Sequence, residues 1–141
     1  MKRLVFDTST PTVVVGIKTP AEWIGSIEKA EAQSQSKQLF SVIQEVLDYH
    51  QIRKDEIKEI AVGIGPGSYT GLRIAITVAK VWAYAGNIKL YQFSSGDLFD
   101  RTKAQKADAE HPHLELLEEA DFQLVTDVNK LEPIYTNDHF A

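Results

Sequence analysis

Two short segments of this chain carry residue types that could do chemistry. The segment 7–10, Asp-Thr-Ser-Thr, places one carboxylate beside three hydroxyls at the end of an apolar run. The segment 65–71, Gly-Pro-Gly-Ser-Tyr-Thr-Gly, is rich in glycine and precedes a long apolar stretch. An acid with hydroxyls can hold a metal ion or a phosphate, and a glycine loop before a helix can approach an anion. Turn and capping roles explain the same residues without any ligand, so both interpretations stay open.

The glycine-rich segment differs from the two best-known phosphate-binding motifs. A Walker A loop needs Gly-Lys followed by Ser or Thr, which the segment lacks. The dinucleotide fingerprint, counted from Gly65, needs a third glycine where Thr70 stands. If the two segments do hold a nucleotide, the residues expected to contact it are Asp7, Thr8, Gly65 and Gly67.

Other catalytic constellations are missing from the sequence. The chain has no cysteine, which excludes disulfides, thiolate metal sites and a cysteine nucleophile. Of its four histidines, His111 and His113 are two residues apart and would lie on different faces of a helix. No Ser/His/Asp arrangement stands out. The sequence therefore predicts neither a metal site nor a catalytic residue.

The composition indicates an acidic globular protein. The 141 residues include 15 Lys and Arg against 20 Asp and Glu, a net charge of −5, with 43% hydrophobic residues. A chain with this net charge lacks the strongly basic composition that is typical of nucleic-acid-binding proteins. Contact with RNA would therefore be local or shared with a partner. No apolar run approaches the ~20 residues that span a membrane, and the N-terminus does not resemble a secretory signal. We expect a cytoplasmic protein without membrane association.

The hydrophobic pattern predicts an α/β fold. Strands are expected at 3–7, 12–18, 22–28, 60–64 and 89–93, and amphipathic helices at 37–50 and 70–85. The order β-β-β-α-β-α-β predicts a mixed five-stranded sheet with helices packed on it, and an antiparallel meander for the first three strands. Beyond residue 95 the pattern weakens: a short helix at 114–120 and a short strand at 122–125 are the remaining expectations.

The helix expected at 70–85 is apolar nearly all round. Its polar residues form one narrow stripe, and its small residues form another at a spacing of four: Arg73, Thr77, Lys80 and Tyr84 in the first, and Gly71, Ala75, Ala79 and Ala83 in the second. Such a helix needs cover on two sides. The sheet supplies one, and either the rest of this chain or a partner chain supplies the other.

Four of these segments together resemble the bacterial TsaB (YeaZ) family. They are residues 7–10 after the first strand, the helix start 34–39, the run 60–73 with Gly-Pro-Gly-Ser-Tyr-Thr-Gly-Leu-Arg, and Ser94-Ser95. The match covers about residues 1–95, and the glycine-containing run is its most specific part. It implies the actin-like ATPase superfamily, whose ribonuclease-H-like lobe has the element order that the periodicity indicates.

The resemblance implies a role in making threonylcarbamoyladenosine in tRNAs that read codons beginning with A. It implies a non-catalytic subunit that pairs with a homologous, metal-bearing transferase, TsaD, and is joined by a small ATPase, TsaE. A homodimer is expected when the chain is alone, and tRNA is reached through the complex. The catalytic relative's His-x-x-x-His pair is absent here, as is any zinc-protease motif behind the older "glycoprotease" label. No tightly bound cofactor is expected; a nucleotide would bind at a shared interface.

The resemblance also implies that the two helices form the dimer interface. The residues expected there are Leu39, Ile43 and Val46 from the first helix and Gly71, Ala75, Val78, Ala79 and Trp82 from the second. On this interpretation Ala79→Arg abolishes pairing and leaves the fold largely intact. The alternative function is a small actin-like phosphotransferase or hydrolase that uses Asp7 and the loop 65–71.

The sequence departs from the family pattern after Ser95. Gly96 stands where the family commonly has leucine, and most of the family's second ribonuclease-H-like lobe is missing, whereas Pro133-Ile134-Tyr135 resembles its final Pro-x-Tyr segment. We expect residues 1–95 to form the N-terminal lobe and residues 96–141 to be a remnant of the second lobe with a C-terminal tail. The departure weakens the expectation of a nucleotide between two lobes.

Overall fold

Strands and helices alternate along the chain as the hydrophobic pattern predicts. The computed structural model describes residues 1–9, 12–30, 35–67, 69–95 and 122–133. Its elements are β1 (Lys2–Asp7), β2 (Thr12–Lys18), β3 (Trp23–Ala30), α1 (Gln35–Tyr49), β4 (Ile57–Gly63), α2 (Tyr69–Gly86), β5 (Lys89–Phe93) and β6 (Gln123–Leu124), with 3₁₀ turns at Lys54–Glu56 and Val128–Lys130. The predicted α/β class and element order are confirmed.

The strands form one mixed sheet in the order β3-β2-β1-β4-β5-β6. Short connections make β1, β2 and β3 antiparallel neighbours, whereas β1, β4 and β5 are parallel because a helix precedes each new strand. The described sheet has six strands where five were predicted. The sixth arises because Gln123 and Leu124 pair with Gln92 and Tyr91 at the edge of β5, which confirms the short strand expected there. The helix expected at 114–120 lies outside the described residues.

Both helices pack on one face of the sheet. Leu4 and Phe6 of β1 point into the main core, together with the predicted stripe of α1 and the small residues of α2. Ala75 and Ala79 are fully buried there. Small side chains let the backbone of α2 lie close to the sheet. The stripe of small residues therefore faces the core of this chain.

The opposite face of the sheet carries a smaller apolar cluster. Val5 lies in it, and Tyr91 and Phe122 pack against it. The Arg3 guanidinium lies 4.0 Å from the centre of the Tyr91 ring and forms a 3.1 Å ion pair with Glu59. The same guanidinium lies 5.0 Å from the centre of the Phe122 ring, so a cation–π contact ties the start of the segment 122–133 to the sheet. In the described ranges, no helix has the length and apolar character needed to cross a membrane.

Candidate functional site

The carboxyl ends of the three parallel strands meet at one edge of the sheet, and the chemically suggestive segments lie there. Asp7 ends β1, Gly63 ends β4, and Ser95 follows β5 by two residues. The Ser95 hydroxyl donates to Asp7 Oδ1 at 2.5 Å and accepts from the Gly65 amide at 2.8 Å. The Ser95 amide donates to the Gly65 carbonyl at 2.9 Å. We call Asp7, Ser9, Gly65 and Ser95 the strand-end cluster.

The Asp7 carboxyl is enclosed and its two oxygens both accept hydrogen bonds. Oδ2 accepts from the Ser9 hydroxyl at 2.7 Å and from the Ser9 amide at 3.1 Å. Asp7 is 0% exposed. Burial raises the pKa of Asp7 above its ordinary value, and the hydrogen bonds from Ser95 and Ser9 act in the opposite direction. The carboxyl therefore links the segments that follow β1 and β5.

The glycines of this region permit close packing around Asp7. A methyl group on Gly63 would overlap Asp7 Oδ1, and one on Gly67 would overlap the Ser9 carbonyl oxygen. Gly65 has a φ of 103°, a left-handed conformation that side chains other than glycine's disfavour. The Thr8 hydroxyl donates to the Gly71 carbonyl at 2.5 Å, which ties β1 to the first turn of α2.

The four residues expected to contact a nucleotide lie in or next to the strand-end cluster. Asp7 and Thr8 are fully buried, and Gly65 and Gly67 are buried with them. In this conformation neither side chain is accessible to a ligand. Across the described residues, no three acidic or histidine side chains gather as a metal ion would require.

The second candidate site is an open apolar groove between α1 and α2, on the side of the helices away from the sheet. Its volume is about 580 Å³. The groove is lined by Phe40, Ile43, Gln44, Lys54, Thr77, Val78, Val81, Trp82 and Ala85, a set that we call the helix groove. Val81 is 62% exposed and Phe40 56% exposed. Large apolar side chains gathered at the surface are typical of sites where another molecule binds.

Only some of the expected interface residues reach the helix groove. Val78 and Trp82 are partly exposed and line it, and Ile43 forms its floor with 2% exposure. The others lie inside this chain: Leu39, Val46, Gly71, Ala75 and Ala79. Because Ala79 is fully buried, an arginine there would disrupt the core of the chain itself. Ala79→Arg is therefore not the selective test of pairing that the sequence suggested.

Sequence reasoning missed three of the six apolar groove residues. Phe40, Val81 and Ala85 are exposed and line the groove. A signal was present, since Val78, Val81, Trp82 and Ala85 recur at i, i+3, i+4 and i+7. The small residues on which part of the expected interface rested, Ala75 and Ala79, lie in the core of this chain, because small side chains can serve a sheet contact as well as a partner.

The chain is similar in sequence to proteins of a known family. Residues 25–128 match the family model described as TsaD, tRNA N6-adenosine threonylcarbamoyltransferase. The chain is 30% identical over 99 residues to the Bacillus subtilis protein named tRNA threonylcarbamoyladenosine biosynthesis protein TsaB, a match covering 67% of this chain and 42% of the relative. The Haemophilus influenzae protein of the same name is 27% identical over 92 residues, covering 65% and 39%.

A solved structure resembles the fold. YeaZ from Pseudomonas aeruginosa superimposes with a TM-score of 0.65 and 25% sequence identity, over 74% of this chain and 49% of that protein. The matched part spans less than half the length of each of these three relatives.

Proposed function

Since the chain belongs to the TsaB/YeaZ family of the actin-like ATPase superfamily, we propose that it is a non-catalytic subunit in the biosynthesis of threonylcarbamoyladenosine in tRNA. It pairs through the helix groove with a TsaD-type subunit, which performs the transfer. A TsaE-type ATPase joins the pair, and tRNA is reached through the complex. Without that partner, two copies of the chain pair through the same groove. The modification of tRNA in which the chain takes part occurs in the cytoplasm.

The observation that carries this proposal is the apolar lining of the helix groove. Six of its nine lining residues are apolar, and two of them are more than half exposed. Covering such a surface releases about 25 cal/mol for each Å² of apolar area. A groove between two packed helices accepts the ridge of a third helix, because side chains at i, i+3 and i+4 fit between those of the pair.

The state of Asp7 supports a non-catalytic role. A carboxylate that binds a metal ion or activates a water molecule needs an oxygen that the ligand can reach. Both oxygens of Asp7 accept hydrogen bonds from Ser9 and Ser95, and the residue is fully buried. No observation in the described residues favours the phosphotransferase or hydrolase alternative over the subunit role.

The proposal is tested by placing a charge in the helix groove. Val81→Asp leaves the fold intact because Val81 is 62% exposed. We expect it to weaken binding to the TsaD-type subunit by more than about a hundredfold, since pairing would bury an unpaired carboxylate. Val128→Asp is the matched control, because Val128 is an exposed valine outside the groove. Isothermal titration calorimetry measures both. Equal affinity of the two variants for the TsaD-type subunit would contradict pairing through the helix groove.

A further inference from the structure

We infer that Lys54 selects the occupant of the helix groove, which is an amphipathic helix of another protein whose apolar stripe is flanked by an acidic residue. This inference rests on the proposed function and gives the chemistry of the partner. It concerns the charge at the rim of the groove, whereas the proposed function concerns its apolar lining.

Lys54 is the only charged residue among those that line the groove in the described part of the chain. It is exposed and lies in the 3₁₀ turn that joins α1 to β4. The two acids that follow it already have cationic partners: Asp55 pairs with Arg53 at 3.0 Å, and Glu56 pairs with Lys2 at 3.3 Å. Within the described residues, Lys54 forms no ion pair.

Helix α2, which forms one wall of the groove, brings no acid to it. Its 18 residues include Arg73 and Lys80 and no Asp or Glu. Lys80 lies one residue before Val81, on the polar stripe that borders the groove. The charged side chain that lines the groove in the described residues is thus a cation, although the chain has a net charge of −5. A partner with acids at the matching positions gains attraction at the rim and keeps its apolar residues in the centre.

The acids of α1 do not supply that complement in a second copy. Glu45 forms a 3.3 Å ion pair with Lys29, and Asp48 accepts a hydrogen bond from Gln44 at 2.8 Å. A two-fold pair of identical chains brings the same surface to both sides, so the groove of a second copy offers its own lining, which contains Lys54 and no acid in the described residues. Lys54 therefore gains no acidic partner from the groove of a second copy, which makes a different protein with an acidic flank the preferred occupant.

Charge reversal at Lys54 tests this inference. The probe is the TsaD-type subunit encoded in the same genome, titrated calorimetrically at low and at high salt. We expect Lys54→Glu to weaken binding about threefold to tenfold at low salt, and less at high salt because ions screen the contact. Lys58→Glu makes the same change at an exposed position outside the groove and is expected to bind as the unaltered chain does. Equal affinities for the two variants would overturn the inference.

Two further measurements separate this inference from the proposed function. If Val81→Asp abolishes binding while Lys54→Glu binds normally, the pairing stands and the selection by charge is wrong; if both bind normally, both proposals fall. Sedimentation of the chain alone reports self-pairing. We expect Lys54→Glu not to weaken the homodimer, since the groove of a second copy supplies no acid whose contact with Lys54 would be lost. A homodimer that weakens as much as the heterodimer, or that the TsaD-type subunit cannot displace, would contradict an acidic partner.

Discussion

The strand-end cluster and the helix groove differ in how far the chain itself supplies hydrogen-bond partners and packing contacts for the side chains there. In the cluster, Asp7 accepts three hydrogen bonds from Ser9 and Ser95, and no part of its side chain reaches the surface. In the groove, Phe40 and Val81 leave more than half of their surface in contact with water. The first region is complete within the chain, and the second is not.

This difference reverses the first impression that the sequence makes. The acid, hydroxyls and glycines suggest chemistry, yet they hold the ends of β1, β4 and β5 and the start of α2 in place. The groove contains mostly ordinary apolar residues, yet its exposed apolar area is the feature on which the proposed pairing rests. Residue types indicate what a site could do, whereas burial and partners decide whether the site is open.

The largest effect is expected from Gly63→Ala in the strand-end cluster. The added methyl group would overlap Asp7 Oδ1, which is itself fully buried and cannot move toward solvent. We expect a loss of more than about 3 kcal/mol in the free energy of unfolding, measured by urea denaturation. Gly86→Ala is the control: the residue is exposed at the end of α2, and the new methyl meets the flexible end of Ile88. Similar stability of both variants would show that the cluster is looser than described.

A smaller loss is expected when one hydroxyl leaves the cluster. Ser95→Ala removes the donor to Asp7 Oδ1 and the acceptor for the Gly65 amide, and both groups stay buried. Leaving buried polar groups without partners costs about 1–3 kcal/mol. Thr77→Ala removes a hydroxyl from the exposed groove and is expected to change stability by less than about 0.5 kcal/mol. Thermal unfolding of the two variants compares the regions directly, and a larger loss for Thr77→Ala would break the contrast.

The smallest effect is expected from Asp7→Asn, and its sign depends on pH. An asparagine can turn its NH₂ group to Ser95 Oγ and its oxygen to Ser9, so the fold is kept. Burial raises the pKa of Asp7, so the folded state holds its proton to a higher pH than the unfolded state does. The stability that the carboxyl contributes is therefore full below its unfolded pKa and is lost as the pH rises through the folded pKa. Relative to Asp7→Asn, the unaltered chain should gain stability as the pH falls from 7 toward 4. Paired urea titrations measure this, and a difference that is constant with pH would contradict it.

The periodicity of the sequence predicts most of the fold, because local patterns encode it. The stripe from Leu39 to Leu47 gives α1 and its buried face, and the β-branched run at 12–18 gives β2. Strand β6 has only two residues, and it exists because they meet the edge of β5. Such a contact is tertiary and leaves only a faint pattern in the sequence.

The candidate sites are harder to predict than the elements. Asp7 and Ser95 are 88 residues apart in the sequence, so no rule based on residue spacing predicts their hydrogen bond. On α2, nearly every face is apolar, so periodicity does not say which one meets the sheet. The structure decides it through side-chain size: Ala75 and Ala79 fit against the strands, and Val81 and Trp82 remain on the outer side.

The threonylcarbamoyladenosine content of tRNA tests most directly whether the groove, and not the carboxyl, carries the function. Cells lacking their own copy of the gene would receive the unaltered chain, Val81→Asp or Asp7→Asn at matched protein levels, and tRNA nucleosides would be measured by mass spectrometry. We predict that Asp7→Asn restores the modification as the unaltered chain does and that Val81→Asp does not. Modification restored by Val81→Asp and lost with a folded Asp7→Asn protein would contradict this assignment.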